Sequence, residues 1–412
     1  MSSILITNIS RLVNTRTATT LLRGKELSIL PCIENAFLLI RDGSIENYGV
    51  MESLDQQSAD QVFDARGRML MPAWCDSHTH LVFAASREEE FIDKIKGLSY
   101  AEIAAKGGGI LNSARRLNEM EAGDLEEKAW IRLLDLIRSG TGAIEIKSGY
   151  GLSVEGELKM LRVIRNLKKR SPIPIKASFL GAHAYPLEFI NDHKAYLKLI
   201  VDEMLPAIAK EGLADYIDVF CEKGFFSNEE TEILLKEGKK YGLDAKIHAN
   251  QLSSSGAVET AVKAGAISVD HLETMDENAI RSLSGSDTIG TLLPGAAFFL
   301  RMNYPPAREM INANAAIALA SDMNPGSCPS GNMNLVVALA CIQCRMLPEE
   351  AINAATINGA WAMGLQEELG SITIGKKANL ILTKPMDTLC AIPYFFGTNP
   401  VEKVMINGEF FQ

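Results

Sequence analysis

Between residues 69 and 320 the chain alternates short, largely uncharged runs with longer amphipathic stretches, and this alternation restricts the fold more than any other feature. Met69–Trp74, Ala143–Ile146, Ile175–Leu180, Tyr216–Phe220, Ala245–Ile247, Ile267–Val269, Thr288–Leu293 and Ala316–Ala320 read as eight strands. Continuous apolar runs bounded by turn residues are the signature of strands buried on both faces of a parallel sheet. Stretches such as Leu125–Ser139, Glu155–Lys169, Ala195–Glu211, Glu229–Tyr241 and Ser255–Ala264 carry apolar residues at helical spacing between them. Eight strands with intervening helices over roughly 300 residues predict an α/β protein built on a (β/α)8 barrel rather than an open doubly wound sheet. No Gly-x-Gly-x-x-Gly follows a strand, so a dinucleotide site is not indicated; Gly107-Gly108-Gly109 continues a helical pattern instead.

The two ends have a different texture. Ile4–Ile6, Ala36–Ile40, Ile45–Tyr48 and Val62-Phe63 at one end, and Ile372–Ile374, Ala378–Thr383 and Val401–Ile406 at the other, read as strands separated by turns such as Arg41-Asp42-Gly43 and Asn407-Gly408. Neither end has enough apolar residues for its own core. Residues 1–66 and 368–412 are therefore expected to pair into one small composite β-domain beside a barrel domain of residues 67–367.

A net charge of −10 with no Lys/Arg-rich run argues against a nucleic-acid or anionic-membrane partner. Seven scattered cysteines do not resemble a disulfide framework, and Cys341-x-x-Cys344 lies in an apolar helical run with no second pair nearby. The first ten residues alternate like a strand, without a basic leader, and no run approaches the roughly 20 apolar residues of a membrane span. A soluble cytoplasmic protein is expected.

In a barrel, chemistry belongs at the C-terminal ends of the strands. Asp76-Ser77-His78-Thr79-His80 closes strand 1, and histidines at i and i+2 of an extended segment face the same way. Strand 3 runs into His183, strand 5 into His248, strand 6 into Asp270-His271 and strand 8 into Ser321-Asp322. Five of the six histidines thus fall on one rim, with only His193 elsewhere. Imidazole and carboxylate ligands around one divalent metal, with an open position for water, account for the cluster. We expect His78, His80, His248 and Asp322 to bind it, with Asp322 also holding or shuttling the proton of an activated water.

These residues resemble the amidohydrolase superfamily, metal-bearing barrels with a β-sandwich formed from both termini. Ser86-Arg-Glu-Glu-Glu-Phe91, Gly107-Gly-Gly-Ile110, Lys147-Ser-Gly-Tyr-Gly-Leu152, Phe179–Ala184, Asp218-Val-Phe-Cys-Glu222, Asp270-His-Leu-Glu273 and Asp322–Ser327 narrow the resemblance to one branch. That branch implies hydrolysis of 4-imidazolone-5-propanoate to N-formimidoyl-L-glutamate in histidine degradation, with one Zn2+ or Fe ion and a homodimeric assembly. By the same resemblance Tyr150 and His183 contact substrate, Asn324, Gly326 and Ser327 line the pocket, and His271 polarises the scissile carbonyl. A propanoate needs a cation, and the planar fork of Arg87 suits it. Arg87 beside Glu88–Glu90 also reads as a solvated ion-pair residue, and Tyr150 between two glycines as loop packing.

One position departs from the pattern. Family members commonly carry a glutamate three residues after the strand 5 histidine, assigned to substrate binding and water activation, and here Gln251 occupies it. An amide can donate and accept hydrogen bonds but takes no proton at neutral pH. Proton transfer then rests on Asp322 and His271, with Gln251 kept as a substrate-binding and catalytic-site residue. A nucleobase deaminase of the same superfamily is the alternative activity, against which Gln251 counts. A non-catalytic scaffold is the alternative of another class, against which the full ligand set counts. Lys147 and Glu222, near strand ends, either serve a second metal or orient the ligands of the first.

Overall fold

The computed structural model describes residues 2–55, 59–98, 102, 106 and 108–412. Gly107, the first residue of the glycine triplet, lies outside them. Eight parallel strands form one sheet in chain order: β1 (Trp74–Asp76), β2 (Thr141–Lys147), β3 (Ile175–Ala182), β4 (Tyr216–Cys221), β5 (Asp244–Ala249), β6 (Ser268–His271), β7 (Ile289–Leu292) and β8 (Ile317–Leu319). The ends of β8 and β1 are stitched together just past the ladder. Asp322 N–H donates to His78 C=O at 3.0 Å and His80 N–H to Met323 C=O at 2.8 Å. The buried Asp76 carboxylate accepts from Ser321 N–H at 2.9 Å and from its hydroxyl at 2.6 Å. Two segments expected to carry ligands are therefore fixed to each other through the backbone.

The helices form where polar starts precede apolar spacing. In Val154–Arg170, Ser153 accepts from Gly156 N–H as the N-cap, and Leu158, Leu161, Ile164 and Leu167 are buried against the barrel. The expected helix Ala195–Glu211 differs: His193–Leu199 and Leu205–Glu211 flank a wider π-type turn at Ile200–Met204. Pro206 supplies no N–H to the ladder there, which favours such a local adjustment.

The second sheet is mixed and drawn from both ends, in the order Glu409–Phe410, Val401–Ile406, Leu380–Thr383, Met69–Pro72, Ser3–Val13, Cys32–Arg41, Ser44–Val50, with Gln61–Asp64 also on Ser3–Val13. Ile6, Leu12, Leu38, Ile40, Leu70, Leu380 and Met405 pack into one core, so apolar side chains from both termini bury each other. Two details differ from expectation. Met69–Trp74 is not one barrel strand: Met69–Pro72 pairs with Leu380–Leu382 and with Arg11-Leu12 in the terminal sheet, and only Trp74–Asp76 enters the barrel. An apolar run buried on both faces looks the same in either sheet, and the break at Ala73 has no sequence signal. Ile372–Ile374 is also not a strand but a single bridge, Thr15 to Ile372, leading into a turn.

Candidate metal centre

His78 and His80 leave β1 side by side, with ring centroids 5.4 Å apart. His248, on β5, brings its ring to 4.5 Å from His78 and 5.5 Å from His80. Its Nε2 faces His80 Nε2 at 3.4 Å. Asp322 Oδ1, from the end of β8, lies 3.5 Å from His78 Nε2 and 3.7 Å from His80 Nε2. Ligand atoms of His78, His80 and Asp322 fall within 4.8 Å of one another, as do those of His78, His248 and His271. All five side chains are buried. Asp322 and His271 hold left-handed backbone with φ of 55° and 88°, a conformation that costs free energy in a residue with a Cβ and clusters at functional sites.

Behind the imidazoles stands a layer of charge. His78 Nδ1–H donates to Asp270 Oδ2 at 2.6 Å and His248 Nδ1–H to Asp218 Oδ1 at 3.0 Å, which aims each Nε2 lone pair at the centre. One ammonium serves both carboxylates: Lys147 Nζ lies 2.7 Å from Asp218 Oδ2 and 3.6 Å from Asp270 Oδ2, and 2.6 Å from Glu145 Oε1. Glu145 in turn pairs with Lys246, whose Nζ donates to Ser77 C=O at 3.1 Å. These charges are fully buried, so each must be paired; removing any one partner leaves an uncompensated ion. The carboxylates around Lys147 overcome its burial and hold its ammonium above the usual range.

The residues present fit a divalent ion. Burial, followed by neighbouring cations and imidazoles, keeps His78 and His80 well below the ordinary histidine range, so both are neutral and could offer a lone pair. His78 Nε2 and His80 Nδ1 are buried nitrogens with no hydrogen-bond partner among the described residues. An unpaired Nε2 surrounded by two more imidazoles and a carboxylate is costly unless a cation takes the lone pairs. Three nitrogens and one oxygen suit zinc or ferrous iron. Burial pushes the Asp322 carboxyl up to about 6 despite His271 and His248 nearby. Burial alone lowers His271, yet Glu273, 3.4 Å from its Nδ1, overrides this and raises the imidazole's pKa.

A cavity of 660 Å3 lies beside the centre, two of its lining rings, Tyr150 and His183, standing 5.8 and 5.3 Å from that of His80. Arg87, Tyr150, His183, Gln251, Asn324, Gly326 and Ser327 all line it, as do Phe220, Phe225, Phe299 and Arg301. Arg87 is anchored by Nε to Ser113 Oγ at 2.9 Å, stands 3.9 Å from Glu90, and lies 5.9 Å from the Tyr150 ring. A Cβ on Gly326 would meet Arg87 Nη1 at 2.5 Å, so only glycine lets the guanidinium lie there. His183 Nδ1–H donates to Gly149 C=O at 3.0 Å, and burial, then His248, pushes its pKa down to about 3. Asn324 is fully used inside its own loop: its Oδ1 accepts from the N–H of Gly326 and Ser327, and its Nδ2 donates to Asp322 C=O and Ser327 Oγ. Gln251 lines the cavity with no side-chain hydrogen bond to the described residues.

Several residues have roles that the sequence left open, as for Lys147 and Glu222, or did not show. The pairing roles of Asp218, Asp270 and Lys147 depend on strand neighbours that a linear reading does not supply, and Lys147 is occupied as a pairing residue rather than as a ligand. Glu222 accepts from the N–H groups of Lys223 and Leu252 and so holds the loop after β5. The aromatic wall of Phe220, Phe225 and Phe299 gave no signal beyond ordinary apolar residues. Cys341 and Cys344 are free thiols.

Barrel, rim histidines and carboxylate together define a metal-dependent hydrolase of the amidohydrolase class. The amidohydrolase family profile matches residues 69–411. The chain is 55% identical over 406 residues to an imidazolonepropionase of Flavobacterium johnsoniae, covering 98% of this chain and 99% of that one. It is 52% identical over 408 residues to that of Christiangramia forsetii, covering 99% of both. The fold is similar to that of an adenosine deaminase from Xanthomonas campestris with bound zinc, with a TM-score of 0.70 at 15% identity over 99% of this chain and 92% of that one. The chain belongs to the amidohydrolase family and, within it, to the imidazolonepropionases.

Proposed function

We propose that this protein hydrolyses 4-imidazolone-5-propanoate to N-formimidoyl-L-glutamate. The observation that carries the reading is a centre of three histidines and one carboxylate beside a cavity that has the Arg87 guanidinium on its wall. A divalent ion in such a centre supplies Lewis acidity and lets water ionise near neutral pH. Zinc or iron is the ion we propose, held by His78, His80, His248 and Asp322.

Arg87 pairs with the propanoate, and its charge selects for an acid side chain. Tyr150, His183 and Gln251 hydrogen-bond the ring and hold its carbonyl carbon toward Asp322. Asp322 takes a proton from the attacking water, whose oxygen bonds to that carbon. His271 donates to the carbonyl oxygen as negative charge develops on it. The ring C–N bond then breaks, the proton passes from Asp322 to the departing nitrogen, and the carbonyl carbon becomes the new carboxylate. Asn324, Gly326 and Ser327 shape the wall. Asn324 acts by fixing the loop that carries Asp322.

Freshly prepared imidazolone propanoate with metal-replete protein should give formiminoglutamate, followed by loss of ring absorbance. Release of ammonia from guanine or cytosine, with no turnover of the imidazolone, would replace this reading with the deaminase one. No helix among the described residues is long and apolar enough to cross a membrane. A cytoplasmic homodimer completes the proposal, and sedimentation of the purified protein tests the dimer.

A further inference from the structure

A buried carboxylate outside the metal centre has no part in the mechanism above. Glu157 is fully buried at the start of the helix Val154–Arg170, and its two oxygens face back into the loop that follows β2. Oε2 accepts from Gly149 N–H at 3.0 Å, and Oε1 accepts from Gly151 N–H at 2.8 Å and Leu152 N–H at 2.9 Å. These donors bracket Tyr150. The loop cannot take this path without help: Gly149 has φ +104° and Leu152 φ +49°, both left-handed. It also lies directly on the helix, since a Cβ on Gly151 would meet Glu157 N at 2.3 Å and one on Gly156 would meet Gly151 Cα at 2.7 Å. From the other side Asn118 Nδ2 donates to Gly151 C=O at 2.9 Å.

The same loop holds a second cavity residue. Gly149 C=O accepts from His183 Nδ1–H, which fixes that imidazole's tautomer and leaves its Nε2 without a hydrogen bond among the described residues. We infer that Glu157 is a positioning residue for substrate binding: by gathering three backbone N–H groups it sets Tyr150 directly and His183 through Gly149. The inference rests on the proposed reading, in which Tyr150 and His183 touch the ring. Burying three backbone donors is costly without an acceptor, and a carboxylate answers all three at once. An amide cannot, because one of its two ends is a donor facing other donors.

Glu157→Gln tests this, assayed well below its melting temperature so that only folded enzyme is compared. The metal content should stay at one equivalent while KM for imidazolone propanoate rises about tenfold or more, as misplacement of binding groups predicts. Amide exchange at Gly149, Gly151 and Leu152 should be slow in the native protein and much faster in the variant. An unchanged KM in a folded variant that has lost the exchange protection would overturn the positioning role while leaving the hydrolase reading intact. Were native protein inactive on the imidazolone, the hydrolase reading would fall instead, and exchange alone would judge the loop. If the variant does not fold, native protein decides: rapid exchange at these three amides would refute the carboxylate's hold on the loop.

Discussion

The histidines and Asp322 of the inner centre sit at or just past the ends of strands, whereas in the cavity beside it Arg87, Tyr150, Gln251 and Asn324 stand on loops. His248 is held twice, by the parallel ladder and by Asp218 on its outer nitrogen, and His78 likewise by the Asp322 N–H on its backbone carbonyl and by Asp270 on its outer nitrogen. Among the described residues Arg87 is held by a single hydrogen bond through Nε, with no partner for the fork within hydrogen-bond distance. A metal demands ligands fixed to within a few tenths of an ångström, while a flexible propanoate tolerates a cation that adjusts. The rigid end should therefore fail as a unit and the adaptable end by degrees.

The largest break is His78→Ala. It removes a proposed ligand and leaves Asp270 with one partner fewer, so metal should be lost by elemental analysis and activity should fall by more than about 100-fold, beyond what outer partners cost. Full metal content in the folded variant would take His78 out of the site. Next comes Asp218→Asn, which keeps the shape but weakens the grip on His248 and on Lys147. Metal affinity measured against a competing chelator should drop by about 10- to 100-fold. An unaltered constant would show that the strand ladder alone orients His248.

Arg87→Ala moves to the adaptable end. Loss of a charge-assisted hydrogen bond of about 2 kcal/mol predicts a KM raised roughly 30-fold with metal retained. An unchanged KM would remove Arg87 from the binding of the acid. The smallest effect is expected from Gln251→Glu, since the amide makes no hydrogen bond to the described residues and the proposed mechanism gives the proton to Asp322. A gain in kcat of about 100-fold or more, the size of a general base, would mean that the native glutamine holds the enzyme back.

Much of the inner end was legible from the sequence because it depends on short-range periodicity. His78 and His80 sit at i and i+2, and His248, His271 and Asp322 each follow a short segment that reads as a strand in the alternation with helices. The carboxylates behind them were not legible in their roles. Asp218 looks like an ordinary polar residue within a strand until β4 is placed beside β5, and the meeting of Asp218 and Asp270 at Lys147 needs three strands at once. Glu157 reads as one more charge in an amphipathic helix; only the return of the loop over that helix makes it an acceptor. Asn324 was expected to line the pocket and does so, but its polar atoms are spent on its own turn.

By itself the order of residues determined that eight strands would run parallel with helices between them, that both termini would share a β-domain, and that imidazoles would gather on one rim. Those follow from alternation and spacing, which act within a few residues. Tertiary structure alone decided where the barrel begins, sending Met69–Pro72 to the terminal sheet and Trp74–Asp76 to the barrel, and which buried charge answers which. Both depend on the strand that lies alongside, and pairing energy between segments hundreds of residues apart leaves no local trace in either one.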